Sequence, residues 1–427
     1  MEYDDFVQRL YQTGSLGDPW IAGKRRFCLT PLWLDAGQLE SMYLVAERVA
    51  AIIEEMAVIV REESVLLDSY FMLTPWQKMM WMAAEGRWHG IARVDLFLCS
   101  GGRWQACEIN SDTPSGEAEA VLLNRLLLAE QGSAINPNSD FEQHFRAMLG
   151  ASLEAAIGGW PRPLRAGILY PTDLSEDLSL IALYRDWLES WGCKVVLGSP
   201  FNLGTVVENG RTRVALIGQP VDLILRHYKT DWWGEREEIW RDQPPWADPD
   251  PLVRELSILL AGEREGRVAV VNPFGSVLTQ NKLAFAFLWD YRARFTPSAQ
   301  EWIEEYIPET RRLVDLDPPR LDREEWVLKS VYGCEGDSVV VGTFVSEDDW
   351  RRTIENLIPR HWIAQRYFEV TPFRPLDSVA MDYDGWRPNY GIFIIGGRAA
   401  GIFTRLAKLS TDHTAVTLPT FVHSSSL

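Results

Sequence analysis

Residues Arg93–Asn110 read RVDLFLCSGGRWQACEIN, and the register given to this stretch decides how the rest of the chain is read. If Gly101-Gly102 is a two-residue hairpin turn, Asp95 lies opposite Glu108 and Arg93 opposite Asn110. One face then carries Ala92, Val94, Leu96 and Leu98 with Cys107 and Ile109, an apolar set that must pack on a core. The other carries Arg93, Asp95 and Phe97 against Ala106, Glu108 and Asn110. Like charges that face each other destabilise a sheet unless something lies between them. Replacing Asp95 by Asn is therefore expected to leave the fold intact and to relieve repulsion.

Two carboxylates and an amide oxygen beside an arginine form a hard oxygen set of the kind that suits Mg²⁺. Magnesium held by so few protein groups takes its remaining ligands from water and phosphate oxygens, which points to a nucleotide. The alternative is a solvated hairpin face on which Arg93 neutralises both acids.

Outward from the hairpin, residues 1 to about 85 read as mainly helical. Met42, Val45, Ala46, Val49, Ile52, Ile53, Met56 and Val60 recur at helical spacing and define an amphipathic core helix. Charges within every turn or two exclude it as a membrane span. The start MEYDDFVQRLYQTGS lacks the basic and apolar regions of a signal peptide, so no processing is expected. Five cysteines without a C-x-x-C pair suit a reducing cytoplasm. The net charge of -18 opposes nucleic acid or an anionic membrane as partner. Nineteen tryptophans are expected mostly in the core rather than around a pocket.

After the hairpin, SDTPSGEAEAVLLNRLLLAEQG reads as a helix with Thr113 as cap and Pro114 at its first position. RAGILYP, DLSLIALYRDWLESWG and CKVVLGSP form a β-α-β unit of a parallel sheet, followed by an Asn-Gly hairpin and the strand VDLILRHYK. RDQPPWADPDP reads as an exposed connection. The last 160 residues return to strands and helices.

Four further segments could carry chemistry. Lys329 near the end of an apolar strand precedes Gly333-Cys334-Glu335-Gly336, whose backbone could close over a phosphate, or form a plain surface turn. Lys282 sits on an apolar helix, and Gln365 is a polar residue in an aromatic strand. Arg405 lies in the strand pair IFIIGGRAAGIFTR, where a planar fork suits a phosphoryl group. No nucleophile elbow, Walker loop or histidine cluster is present in the sequence, which weakens hydrolase and P-loop readings.

Together these segments resemble the synthetase part of glutathionylspermidine synthase and its circularly permuted ATP-grasp relatives. RVD followed by CEINSDTPS resembles that family's metal motif, LTQNKLAFAFLW its S/T-x-N-K helix, and LKSVYGCEG its lysine and glycine loop. WIAQRYF is similar to its adenine hinge and GGRAAGIFTR to its G-G-x-x-A-G-I-x-x-R segment. The resemblance implies a mixed α/β, circularly permuted ATP-grasp fold with a helical N-terminal region and an inserted small α/β domain. Its parts would span 1–135, with the metal hairpin, 136–265, with the substrate domain, and 266–427, with the nucleotide-binding lid and core.

The resemblance further implies an ATP- and Mg²⁺-dependent carboxylate-amine ligase working through an acyl phosphate. Asp95, Glu108 and Asn110 would hold magnesium; Lys282, Lys329, Gly333, Glu335, Gly336 and Gln365 would bind ATP; Arg93 and Arg405 would be catalytic. Thr113 and Ser115 could hold the acceptor carboxylate, and Trp232 lies in a segment loosely similar to the family's substrate wall. Small-molecule carboxylate and amine partners follow, a cationic amine being favoured by net acidity. The glycine loop departs from the family in Cys334 and Asp337, and without the amidase domain of the family's bifunctional members no amide hydrolysis is expected. A nucleotide-binding scaffold without ligation, or phosphoryl transfer to another acceptor, are the alternatives.

Overall fold

The computed structural model describes residues 2–21, 23–172, 177–234, 251–332, 339–374, 383–412 and 414–424. The connection RDQPPWADPDP lies almost wholly outside the described residues, as do Gly333, Glu335 and Gly336 of the glycine segment. The fold is mixed α/β, with three main sheets packed on two large apolar clusters and a third, smaller one.

The central sheet has five antiparallel strands, in the order Val416–Leu418, Arg398–Ala407, Arg387–Ile395, Ile91–Leu98 and Trp104–Asn110. Strands nearly 300 residues apart in sequence thus lie side by side, with Gly391 facing Asp95. The Gly396-Gly397 turn expected between the last long strands is present, both glycines having positive φ. One face of this sheet is covered by the helix Ala36–Glu62, whose N-terminus is closed by a capping box of Asp35 and Gln38. All eight apolar positions predicted for its inner stripe are buried.

The second sheet is parallel, ordered Ala269–Val271, Leu223–Arg226, Arg165–Leu169 and Lys194–Gly198. The predicted β-α-β unit is its heart, with helix Leu178–Ser190 as the crossover. Its edge strand Ala269–Val271 is taken from the segment that follows residue 265. The Asn209-Gly210 turn joins Leu203–Glu208 to Arg211–Leu216 in a small separate sheet.

The third sheet is antiparallel, ordered Thr310–Arg312, Trp362–Arg366, Trp326–Ser330 and Val339–Val341. It stands across from the polar face of the 91–110 hairpin and carries Lys329 and Gln365 on neighbouring strands. Among the described residues no helix is long and apolar enough to cross a membrane.

The predicted helix after the hairpin starts later than its sequence suggests. Thr113 to Gly116 are irregular and helical structure begins at Glu117, passing through a π segment, Glu119–Leu123. Gly116 explains the delay. Its φ is +101°, and a Cβ there would lie 2.4 Å from the Phe403 ring, so the backbone crosses the arene instead of coiling. Thr113 therefore does not cap a helix, and no helix N-terminus opens beside Asn110.

Candidate active site

The hairpin turns through three residues, Ser100 to Gly102, rather than two: Cys99 N donates to Arg103 O at 2.8 Å and Gly102 N to Cys99 O at 3.0 Å. A bulge at Cys107 compensates, so Leu96 faces Ala106 while Asp95 still faces Glu108 and Arg93 still faces Asn110. Two predicted faces are thereby exchanged. Ala106 is buried on the core side with Trp104 and Ile109, and Cys107 lines a cavity of about 250 Å³ between the hairpin and the third sheet.

At the polar end of that cavity Asp95 is 1% exposed and held from two sides. Arg93 Nε donates to Asp95 Oδ1 at 2.7 Å and Arg93 Nη2 to Oδ2 at 3.2 Å. Arg405 Nη2 donates to the same Oδ2 at 2.7 Å. Burial opposes ionisation of Asp95, but the Arg93 and Arg405 guanidiniums outweigh it and hold the carboxyl well below its usual range. Glu108 is half-buried, which also opposes its charge; Lys282 Nζ, 3.6 Å from Glu108 Oε2, is the strongest of the cations that keep it ionised. The like-charge fault is thus answered by three cations rather than by Arg93 alone. Substituting Asp95 by Asn would strand two buried guanidiniums, so the expected relief of repulsion is replaced by a loss of stability.

The central sheet makes this geometry. Pairing of Arg387–Ile395 with both Ile91–Leu98 and Arg398–Ala407 places Asn389 opposite Arg405 and Gly391 opposite Asp95. A Cβ on Gly391 would come within 2.7 Å of Arg93 Cδ, so its absence lets the arginine lie along the sheet toward Asp95. Asn389 went unseen in sequence. Its Nδ2 lies 3.4 Å from Asp95 Oδ2, and its buried Oδ1 has no partner among the described residues.

Each residue of Thr279-Gln280-Asn281-Lys282 has a distinct fastening. Thr279 Oγ1 bonds Ser111 Oγ at 2.7 Å, and Gln280 Oε1 accepts from Ser111 N at 2.9 Å and Asp112 N at 3.2 Å. Asn281 Oδ1 accepts from Leu283 N at 2.9 Å, while Lys282 reaches Glu108. Lys282 itself lies beside the main cavity, in a small pocket it shares with Glu108 and Gln280. Asp112 ties this assembly to the parallel sheet: Arg226 Nη2 and Ser276 Oγ both donate to Oδ1 at 2.7 Å, and Thr230 N donates to Oδ2 at 2.7 Å.

The other predicted residues divide. Thr113 and Ser115 line the cavity, and Ser115 O accepts from Arg93 Nη1 at 2.5 Å. Lys329 and Gln365 form its third-sheet wall beside Val327, Val341, Phe344 and Phe368. The Gln365 side chain is directed at Lys329, whose Nζ donates to Gln365 Oε1 at 2.7 Å and to Cys107 O at 3.1 Å. Trp232 does not line the cavity; Lys229 does, with its Nζ 5.0 Å over the Trp232 ring. No tryptophan lines the cavity among the described residues, and Trp81, Trp88, Trp187 and Trp350 are core.

Beneath Arg93 lies a second fully buried carboxylate, Glu117. Tyr184 Oη donates to Glu117 Oε1 at 3.2 Å, and Oε2 has no partner among the described residues. Burial pushes its carboxyl up to about 7. The sequence offered only an acid at an expected first helical turn.

The donor set fits a magnesium ion that completes its shell with phosphate. Among the described residues no group of three or more His, Cys, Asp or Glu could hold a metal ion, so the protein's share of a metal site here is two carboxylates and an amide. Asp95, Glu108 and Asn110 supply two carboxylates and an amide oxygen, hard donors that share one cavity with Arg93, Arg405 and Lys329, while Lys282 reaches Glu108 from the adjoining pocket.

A model described as "Glutathionylspermidine synthase preATP-grasp" matches residues 30–423. No curated protein matches the chain. Among solved structures, an apo glutathione synthetase-like effector (GSS30) from Globodera pallida superposes with a TM-score of 0.58 at 11% identity, covering 99% of this chain and 96% of that one. A putative gamma-glutamylcysteine synthetase from Methylobacillus flagellatus KT gives a TM-score of 0.45 at 13% identity, covering 86% and 88%. The first likeness establishes shared architecture.

Proposed function

We propose, since this chain belongs to the glutathionylspermidine synthase family, that it is an ATP- and Mg²⁺-dependent carboxylate-amine ligase. The observation that carries this reading is the cavity in which Asp95, Glu108 and Asn110 face Arg93, Arg405 and Lys329 across from an apolar wall. Among the described residues five cations line it, Arg93, Lys229, Lys329, Arg387 and Arg405, and outnumber its two carboxylates, which suits a polyphosphate with its metal.

In this reading Asp95, Glu108 and Asn110 would hold the magnesium, which when bound would supply positive charge against phosphate oxygens. Lys282 and Lys329 bind phosphates. Val327, Val341, Phe344 and Phe368 give the base an apolar slot. The acceptor carboxylate, lying along Thr113 and Ser115, attacks the γ-phosphorus; the bond to the β,γ-bridging oxygen breaks, leaving ADP and an acyl phosphate. Arg93 and Arg405 stabilise the charge on the transferring group. Arg405 Nε, buried and without a partner among the described residues, is a donor left over for that purpose. An amine then attacks the acyl carbon, phosphate leaves, and an amide forms after loss of a proton. That the central sheet joins residues 91–110 to 387–418 supports a circularly permuted ATP-grasp core.

Incubation with Mg-ATP, a panel of carboxylates and hydroxylamine tests the reading. A hydroxamate formed in step with ADP is the expected result. Nucleotide binding with no turnover across the panel would favour a scaffold instead, and a phosphorylated product without hydroxamate would favour a different acceptor.

A further inference from the structure

The third sheet holds Lys329 by a chain of neutral groups whose direction can be fixed atom by atom. Thr310, Gln365 and Val327 sit in register across three adjacent strands, with Lys329 two residues along from Val327. Thr310 and Gln365 are completely enclosed and Lys329 is nearly so. Thr310 Oγ1 donates to Pro308 O at 2.8 Å. A hydroxyl has one proton, so toward Gln365 this oxygen can only accept. The Gln365 Nε2, 3.1 Å away, must therefore face Thr310, and Oε1 must face Lys329 Nζ at 2.7 Å. The opposite amide orientation would set an NH₂ group against an ammonium and leave a hydroxyl oxygen against a carbonyl.

We infer that Thr310 is a positioning residue: through Gln365 it holds the Lys329 ammonium at the cavity wall without neutralising it. This rests on the reading above in taking a phosphate as the group that Lys329 meets. Lys282 makes the contrast, because among the described residues it faces the Glu108 carboxylate. An amide oxygen satisfies one N–H of an ammonium and leaves its full charge for a ligand, whereas a carboxylate in the same place would cancel it. The Cys107 carbonyl, turned out by the bulge, takes a second proton of the ammonium at 3.1 Å.

Two readouts test this on the full chain. The first is the rate at which Lys329 is reductively methylated, followed by mass spectrometry with no nucleotide present. The second is Mg-ATP affinity by calorimetry, with kcat and KM taken separately in the hydroxamate assay. Thr310→Val removes donor and acceptor at nearly constant volume, Thr310→Ser restores the hydroxyl, and Gln365→Glu replaces amide by carboxylate. Thr310→Val should speed methylation several-fold and weaken Mg-ATP about tenfold, chiefly in KM, with Thr310→Ser returning both to within about twofold of wild type. Gln365→Glu should slow methylation while weakening Mg-ATP at least as much. Methylation and affinity unchanged in Thr310→Val, or Gln365→Glu binding as wild type does, would overturn the inference. If the wild type binds no nucleotide yet methylation follows the Thr310 variants, the ligase reading fails and the positioning role stands.

Discussion

Asp95 and Glu117 are both buried carboxylates beside Arg93, and they meet burial in opposite ways. Around Asp95 two guanidiniums converge and keep the charge. Around Glu117 the nearest partner is a phenol, and the group retains its proton up to about pH 7. The difference lies in strand geometry rather than in depth. The central sheet aims Arg93 and Arg405 along its surface at Asp95, while Glu117 enters from the first residue of a helix. Asp95 keeps its charge because the sheet delivers fixed cations to it, and Glu117 receives none.

Breaking the paired side should have the largest effect. Asp95→Asn leaves Arg93 and Arg405 facing each other in the core and should cost about 3–5 kcal/mol, measured by chemical denaturation at pH 7, with complete loss of ligation. The Asp95 carboxyl is held below its usual value near 3.8, so its contribution is complete above about pH 4. It is lost only as pH falls toward the depressed folded value. Wild type and variant should therefore converge in acid.

The unpaired side should behave in reverse. The Glu117 carboxyl is raised from 4.5 to about 7 in the folded chain, so the wild type loses stability as pH climbs between those values. Glu117→Gln keeps the Tyr184 bond and removes the titration. The variant should match wild type near pH 4 and exceed it by up to about 3 kcal/mol at pH 8. Equal pH profiles for the two proteins would erase the contrast with Asp95.

Two smaller effects sharpen the comparison. Gly391→Ala sets a methyl against Arg93 Cδ and should cost about 1–3 kcal/mol while raising KM for ATP through a displaced guanidinium. Lys329→Met, on the opposite wall, removes a cation held by neutral acceptors. Its denaturation midpoint should shift by no more than the equivalent of about 1 kcal/mol, although Mg-ATP affinity falls at least tenfold.

Much of this architecture could be read before the fold was seen. The apolar set Ala92, Val94, Leu96 and Leu98 alternating with Arg93 and Asp95 showed which side of that strand faces the core, and the helical stripe from Met42 to Val60 was equally plain. The bulge at Cys107 was hidden because Ala106 and Cys107 are both small, so the sequence pattern does not say which of them is extra. The late helix start escaped because Thr113-Pro114 carries ordinary capping chemistry, and only the Phe403 ring against Gly116 overrides it. Asn389 was missed for a topological reason. Its importance exists only once its strand pairs with one 294 residues earlier, although a polar side chain amid the apolar run NYGIFII was a signal available to be used.

The central sheet has a consequence for synthesis. Asp95 and Arg405 are separated by 310 residues, so during translation the Ile91–Leu98 strand keeps one open edge until Arg387–Ile395 has left the ribosome. An apolar strand with a free edge is a template for pairing with other chains. Until that strand emerges, the carboxylate face of the hairpin stays incomplete, and synthesis of a distant segment, rather than local folding, times the assembly of the site.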